Sequence, residues 1–299
     1  MTLLLRSQLT FILLLVLPTT LFAQNNEIKI QTEKLTDKLY MLKGRGGNLG
    51  VFAGPDGVLV IDAQYAPVSE KLKEAIQTIS DSPIKYLINT HWHFDHTGGN
   101  ENFERFGATI LAQEKVRERM ASGQVIELLK REVPAFPEKA LPVITFDQGL
   151  KLHFNGEEVQ IIHNGRAHTD GDAIVYFPAS NVIHMGDVFV RYGYPFIDTS
   201  SGGSIDGIIA FLGQALDLIN DETRVIPGHG EMSTKKDVIE FRNMLISVRD
   251  IVKERIAKGQ SLDDIISAKP LSDYDERWNN NFIKSETFVM VVHESLTAE

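Results

Sequence analysis

His91-Trp92-His93-Phe94-Asp95-His96 places three imidazoles and one carboxylate within six residues. Such a run ill suits a hydrophobic core and suits a divalent metal, for which imidazole and carboxylate are ordinary ligands. In an extended segment alternate side chains point the same way. His91, His93 and Asp95 then share one side, and His96 lies just past them, where a bend redirects it. A regular helix would instead turn His93 about 200° away from His91. The spacing predicts a loop or strand end that aims four ligands at room for one or two metal ions, a setting that usually performs hydrolysis.

The flanking sequence fits that placement. Residues 84–89 form a buried-type apolar strand that runs directly into the histidine segment, and Thr97-Gly98-Gly99-Asn100 opens a helix carrying Phe103 and Phe106. Upstream, strands are expected over 27–32, 39–43, 48–53 and 58–61, the last two joined by the hairpin signal Gly54-Pro55-Asp56-Gly57. Helical spacing covers 68–79 and stops at Asp81-Ser82-Pro83. Residues 108–111 read as one more short strand. Downstream the alternation repeats: strands at 159–163, 172–177, 182–184 and 224–226, an amphipathic helix at 205–219, and a long helix capped by Thr234 and running to about Ala257. Residues from about 260 onward read as C-terminal helices. Strands followed by helices in both halves predict an α/β fold in four layers: two mixed β-sheets face to face, with helices on the outer faces (αββα).

Composition bounds the class. The chain has 299 residues, 43% of them hydrophobic and 23% charged, as in a soluble globular protein. Arg6, the apolar run 9–17 broken only by Thr10, then Pro18 and small Ala23 read as a signal peptide over 1–23, cleaved after Ala23, with residues 24–299 as the catalytic domain. That run is short for a membrane span. A chain so processed carries 29 basic and 40 acidic residues, a net charge of −11, which argues against nucleic acid as a partner. There is no cysteine, so disulfides, thiolate ligands and a lipid-modified N-terminal cysteine are excluded. The expected setting is the periplasm or the exterior, with no stable membrane anchor and a small molecule as substrate.

Three later positions share a pattern: His168 in Gly165-Arg166-Ala167-His168-Thr169, Asp187 in His184-Met185-Gly186-Asp187, and His229 in Pro227-Gly228-His229-Gly230. Each lies at or between predicted strand ends with glycine nearby, where backbone bends tightly and side chains can converge. Taken in order with the opening motif, these residues resemble the metallo-β-lactamase-fold superfamily over essentially the whole chain after residue 23. The resemblance implies a ligand set. His91, His93 and His168 would hold one zinc, Asp95, His96 and His229 a second, and Asp187 would bridge both. Two Zn2+ ions per chain would polarise a carbonyl and supply a metal-bound hydroxide to attack it, with Asp95 steering the nucleophile or accepting its proton. Many β-lactamases of this family place Cys in the second metal site. The absence of Cys and the presence of Asp187 look more like the glyoxalase II and lactonase branches.

Other residues carry expectations of their own. Asp62, ending an apolar strand, and His184, three residues before Asp187, are candidates to orient ligand imidazoles from behind. Arg191, Tyr192, Tyr194 and Phe196 are candidates for a substrate wall; the competing reading is a packed loop. Trp92 and Phe94 read as packing residues, His153, His163 and His293 as structural, and Gly44-Arg45-Gly46-Gly47-Asn48 as a hairpin loop without the Lys-Ser/Thr ending of a phosphate loop. The expected activity is zinc-dependent hydrolysis of a cyclic amide or ester, β-lactamase-like. A lactonase or thioesterase is the alternative within the class, and an iron-dependent oxidoreductase on the same fold is the alternative outside it.

Overall fold

Alternation along the strands decides the layering. In the computed structural model, which describes residues 28–280 and 282–298, a seven-stranded sheet runs in the order β1-β2-β3-β4-β5-β6-β9: Gln31–Lys34, Leu39–Lys43, Leu49–Gly54, Gly57–Ile61, Ile84–Ile88, Thr109–Gln113 and Ile144–Phe146. The first four pair antiparallel, and β4, β5, β6 and β9 pair parallel. A five-stranded sheet follows in the order β10 to β14: Gly149–Phe154, Glu157–Ile162, Ile174–Phe177, Val182–His184 and Arg224–Ile226. It is antiparallel except for the β13–β14 pair.

Residues on one face of each sheet meet in a central core: Leu59, Ile61, Ile88 and Leu111 from the first, Val175, Phe177, Val182 and Ile226 from the second. Phe52 and Phe177 touch across it with ring centroids 5.1 Å apart. The alternate residues face outward. Val58, Val60, Leu87 and Ile110 pack on Leu72 and Ile76 of α1 (Ser69–Ile79) and on Phe103 of α3 (Asn100–Arg105), which follows the single turn α2 (Phe94–Thr97). Ile174, Tyr176, Ile183 and Val225 pack on the other side, where α4 (Glu114–Ser122), α5 (Ile205–Leu218), α6 (Lys235–Ala257), α7 (Leu262–Ser267), α8 (Ser272–Trp278) and α9 (Ser285–Thr297) supply Val116, Phe211, Leu245, Ile265 and Phe288. Three apolar cores between helices, sheet, sheet and helices give the expected αββα sandwich.

The long helix is capped as its sequence predicts. The Thr234 side chain meets the third backbone N–H and Asp237 reaches back to the Thr234 N–H, 2.9 Å away. The first strand is displaced to Gln31–Lys34 from the expected 27–32. No element is expected between 112 and 158. The structure has α4 there, a β7–β8 hairpin (Gln124–Ile126 with Arg131–Val133), β9 and β10. The hairpin strands are too short to show a sequence period. The expected signal peptide, 1–23, lies outside the described residues. No helix among the described residues is long and apolar enough to cross a membrane.

Candidate metal centre

The seven candidate ligands all arrive at strand ends along one edge of the paired sheets. The chain leaves β5 at Ile88, and His91 and His93 lie in the following loop. The turn α2 then carries Asp95 and His96, with the His96 N–H bonded to the His93 carbonyl at 2.9 Å. This helical turn is the bend that redirects His96. It also moves Asp95, which does not share a side with His91 and His93 as extended spacing would have it. His168 comes from the β11–β12 loop, Asp187 follows β13, and His229 follows β14.

The donor atoms fall into overlapping groups. Nitrogens of His91, His93 and His168 lie within 4.8 Å of one another, as do donors of Asp95, His96 and His229, and those of His91, His96 and Asp187. His93 Nδ1 faces His168 Nε2 at 2.9 Å, and His96 Nε2 faces His229 Nε2 at 3.2 Å. Two nitrogens on one tetrahedral zinc lie about 3.3 Å apart, given bonds of about 2.0 Å. The Asp187 carboxylate stands between the groups. Its Oδ1 is 3.3 Å from His96 Nε2, and its Oδ2 is 3.6 Å from His229 and 3.8 Å from His168. Asp95 Oδ2 is 3.2 Å from His229 Nε2.

The far nitrogens of His91, His93, His96 and His168 are engaged. Asp62 accepts the Thr90 N–H at 2.8 Å on Oδ1, and on Oδ2 the Thr90 hydroxyl at 2.9 Å and His96 Nδ1 at 2.8 Å. Because the Thr90 hydroxyl donates to Asp62, it accepts from His91 Nδ1 at 3.0 Å. His93 Nε2 donates to Asp198 Oδ2 at 2.9 Å, and His168 Nδ1 to the Phe196 carbonyl at 2.8 Å. These bonds set the tautomers. His91, His96 and His168 turn lone pairs on Nε2 into the common space, and His93 turns Nδ1. Asp62, expected to orient an imidazole, therefore orients two, and sequence reasoning missed Asp198. His184 contacts none of the seven side chains by hydrogen bond. Its Nε2 meets the Asn48 carbonyl at 3.0 Å and its Nδ1 accepts the Gly186 N–H at 3.2 Å, so it fixes the backbone one residue before Asp187.

Glycines let backbone close on the site. A Cβ on Gly47 would run into the His96 ring, and one on Gly228 into Asp187 Oδ1. The loop 44–48 is a tied hairpin: Gln64 donates to the Gly47 carbonyl at 2.6 Å and accepts the Arg45 N–H at 3.1 Å.

The charges fit a cation. Burial would raise the Asp187 carboxyl, but His229 and His96 outweigh it and hold it well below the usual range. Asp95 behaves likewise at about 2, with His96 and His229 overcoming burial. Burial, with the neighbouring imidazoles His96 and His168, pushes His91 down. Burial and His93 push His168 down to about 4. His96 goes the other way: burial opposes its charge, and Asp187, Asp95 and Asp62 outweigh burial. Four buried side-chain atoms have no hydrogen-bond partner among the described residues: Trp92 Nε1, Ser201 Oγ and, at the site, His91 Nε2 and Asp187 Oδ1. A buried nitrogen lone pair and a buried carboxylate oxygen left in this state are costly unless a cation engages them.

A cavity of about 450 Å³ opens over Asp95, Asp187 and His229. Tyr192 and Phe196 line it with Tyr65, Phe94, Ile126, Leu129, Arg131 and Phe282. The other two expected wall residues lie elsewhere. Tyr194 is fully buried, stacked on Phe288 at 4.9 Å with its hydroxyl on Asp275. Arg191 pairs with Asp237 at 2.8 Å, at the start of α6. The segment 191–196 is a bent loop with Gly193 at positive φ, and within it Tyr192 and Phe196 line the cavity while Tyr194 packs on the helices. Trp92 is core, as expected, whereas Phe94 is wall rather than core. His153 is exposed on β10, and His163 lies one residue past β11, bonded to the Asp172 carbonyl.

Comparison with known proteins agrees with this geometry. A family model described as the metallo-beta-lactamase superfamily matches residues 42–229. The chain belongs to that superfamily, whose members are mostly metal-dependent hydrolases. The alpha subunit of 2,4-dinitroanisole O-demethylase from Nocardioides sp. is 29% identical over 142 residues, 45% of this chain and 38% of that one. A type 2 metallo-beta-lactamase from Elizabethkingia meningoseptica is 27% identical over 211 residues, 67% of this chain and 72% of that one. Among solved structures, a metallo-beta-lactamase from Pontibacter korlensis superposes with a TM-score of 0.61 at 18% identity, over 73% of this chain and 99% of that one. The inverting sec-alkylsulfatase from Pseudomonas sp. gives a TM-score of 0.69 at 17% identity, over 90% of this chain and 50% of its own. This chain thus spans well under half of the demethylase subunit and half of the alkylsulfatase.

Proposed function

We propose that the protein is an exported hydrolase that holds two zinc ions and cleaves the carbonyl of a small cyclic amide or ester. The observation that carries this reading is the set of outward hydrogen bonds on His91, His93, His96 and His168, which leaves the inward nitrogens as lone pairs around a shared space. His91 Nε2, His93 Nδ1 and His168 Nε2 would hold one ion. Asp95, His96 Nε2 and His229 Nε2 would hold the other, with Asp187 between them. When bound, such a pair supplies Lewis acidity toward the carbonyl oxygen and lowers the pKa of water to about 7.

The chain's own residues do the rest. Asp95, ionised across the neutral range, orients a water proton at Oδ better than it removes one, because its pKa of about 2 makes it a weak base. Asp198 holds the proton on His93 Nε2, and Asp62 those on His96 Nδ1 and, through Thr90, His91 Nδ1. Tyr192, Phe196 and Phe282 exclude bulk water from the mouth.

A β-lactam substrate is supported by the name of the Elizabethkingia relative, and a lactone or other ester by Asp187 in place of a thiolate. Residues 1–23 support export to the periplasm or beyond. The test is elemental analysis of metal together with turnover of a chromogenic cephalosporin, acyl-homoserine lactones, aryl esters and thioesters on one sample. Two zinc per chain and chelator-sensitive hydrolysis are expected, abolished in His91→Ala and Asp187→Ala. Protein that binds no metal, or that a chelator leaves equally active, refutes the reading; stoichiometric iron with no hydrolysis favours an oxidoreductase.

A further inference from the structure

The cavity wall facing the candidate ligands holds a cation that no acidic side chain neutralises. Arg131 opens β8, in the hairpin that the sequence pattern does not reveal, and its guanidinium carbon lies 3.5 Å from the centre of the Phe94 ring. Phe94 stands between His93 and Asp95 in the chain, so this stacking fixes the guanidinium at the border of the metal centre. Among the described residues Arg131 makes no ion pair and no side-chain hydrogen bond; it is exposed and lines the cavity. Tyr65 lies on the same side, its ring 5.8 Å from Phe94. Burial and the Asp95 carboxylate raise the Tyr65 phenol, while Arg131 and Arg45 pull it the other way, so two guanidinium charges reach this corner.

The remaining wall is apolar. Ile126 and Leu129 from the hairpin face Tyr192, Phe196 and Phe282, and Phe282 sits 5.8 Å from Tyr192 and 6.2 Å from Phe196, ring to ring. A cavity of about 450 Å³ suits a small molecule and excludes a folded polymer.

We propose that the substrate is a small organic anion whose carboxylate is held by the Arg131 guanidinium, while its hydrocarbon part packs on Leu129, Tyr192, Phe196 and Phe282. The reacting group then lies between the two anchors, over Asp187. A planar guanidinium presents paired donors that match a carboxylate, and stacking on an aromatic face pre-sets its orientation. Arg131 is thus a specificity determinant, and its role in turnover rests on the hydrolase reading.

The experiment compares wild type, Arg131→Gln and Arg131→Lys, each loaded with zinc. Two substrates of similar length are used, neutral nitrophenyl butyrate and the anionic mono-nitrophenyl ester of succinic acid. In parallel, binding of phenylacetate and phenylacetamide is measured by calorimetry. Arg131→Gln is expected to lower the ratio of kcat/KM for the succinate ester over the butyrate about tenfold, the scale of one lost charged hydrogen bond. It is also expected to weaken phenylacetate binding while leaving the amide alone, with Arg131→Lys in between. A ratio unchanged in Arg131→Gln, or equal weakening of acid and amide, overturns the proposal. If wild type cleaves neither linear ester, the binding arm alone decides whether Arg131 anchors an anion, and the hydrolase reading stands or falls on metal content and the cyclic substrates.

Discussion

Asp62→Asn is the sharpest perturbation of the site, because it changes charge and one acceptor while keeping size. Asp62 is fully buried with a φ of 63°, a left-handed conformation that asparagine also tolerates, so backbone strain is not introduced. The carboxylate accepts three donors: the Thr90 N–H on one oxygen, the Thr90 hydroxyl and His96 Nδ1 on the other. Asparagine has one acceptor oxygen. With that oxygen in either place, its amide N–H confronts at least one buried donor. An unsatisfied buried donor costs about 1–3 kcal/mol, and exchanging charged for neutral hydrogen bonds costs about 1 kcal/mol more. The expected loss is about 2–4 kcal/mol, read by urea unfolding in the presence of chelator so that metal binding does not contribute. His96, no longer held to Nδ1–H, takes its proton on Nε2 in part of the population and withdraws that lone pair. One of the two metal equivalents is then expected to bind about 10–100-fold more weakly in competition with a chromophoric chelator, the usual scale for losing a ligand's outer partner. An unchanged unfolding midpoint in chelator would refute the hydrogen-bond argument. Unchanged affinity of both equivalents would refute the claim that Asp62 sets the His96 tautomer.

Gly228→Ala places a Cβ against Asp187 Oδ1 and the Gly186 backbone; hydrolysis is expected to fall at least about 100-fold with a far-UV spectrum like wild type, a scale set by small displacements of reacting groups, and full activity would show that the loop yields. Asp172 is buried, and burial lifts its carboxyl to about 8 although Thr169 donates to both oxygens. The folded state keeps a proton that the unfolded state releases near pH 4, so stability contributed below that pH is lost as pH rises toward 8. Asp172→Asn is expected to flatten this dependence by on the order of 1 kcal/mol per pH unit between pH 5 and 8, and parallel stability profiles for the two proteins would sink the idea. With the two ions of the proposed function bound, chelation is expected to remove them in two steps, the one near Asp95 and His229 first, because those side chains are about one-fifth and one-quarter exposed while His91 and His168 are fully buried; a single step by elemental analysis of dialysed samples would contradict it.

The strands near the site were legible because each is an apolar run bounded by turn residues. Leu39–Lys43, Val182–His184 and Arg224–Ile226 end where the pattern puts them. The convergence of the seven candidate ligands was legible because His and Asp at strand ends beside glycine have few structural uses. Asp198 was not legible. It lies in Ile197-Asp198-Thr199-Ser200, an ordinary cap sequence, and its side chain does accept the Ser201 N–H as a cap would. Only the third dimension brings its second oxygen to His93, 105 residues away. A cap-like Asp downstream of an aromatic loop was the available signal, and it is weak. Arg131 was hidden for a different reason: the three-residue strands Gln124–Ile126 and Arg131–Val133 carry no measurable period, and a lone arginine among Glu127, Lys130 and Glu132 reads as surface. Tyr194 follows the packed-loop alternative rather than the substrate wall, because aromatic content alone does not say which way a residue faces.

One electrostatic argument links the site to the fold. Asp62, Asp95, Asp187 and Asp198 surround imidazoles that burial keeps neutral at His91 and His168. In that field His96 is pushed toward the protonated form, chiefly by Asp187 and Asp95 once burial is overcome. The carboxylates therefore demand positive charge at the point where the inward lone pairs converge, and a proton on His96 Nε2 and a metal ion compete for the same place. Metal affinity must then fall as pH drops, since binding releases that proton. The outward bonds to Asp62, Thr90, Asp198 and the Phe196 carbonyl keep the outer nitrogens protonated, so that a cation which displaces the inner proton meets nitrogens already aimed. Residues 62, 90 and 198 thus serve the centre without touching it, and their placement at the ends of β4, β5 and the loop before α5 is what the two-sheet sandwich contributes to the chemistry.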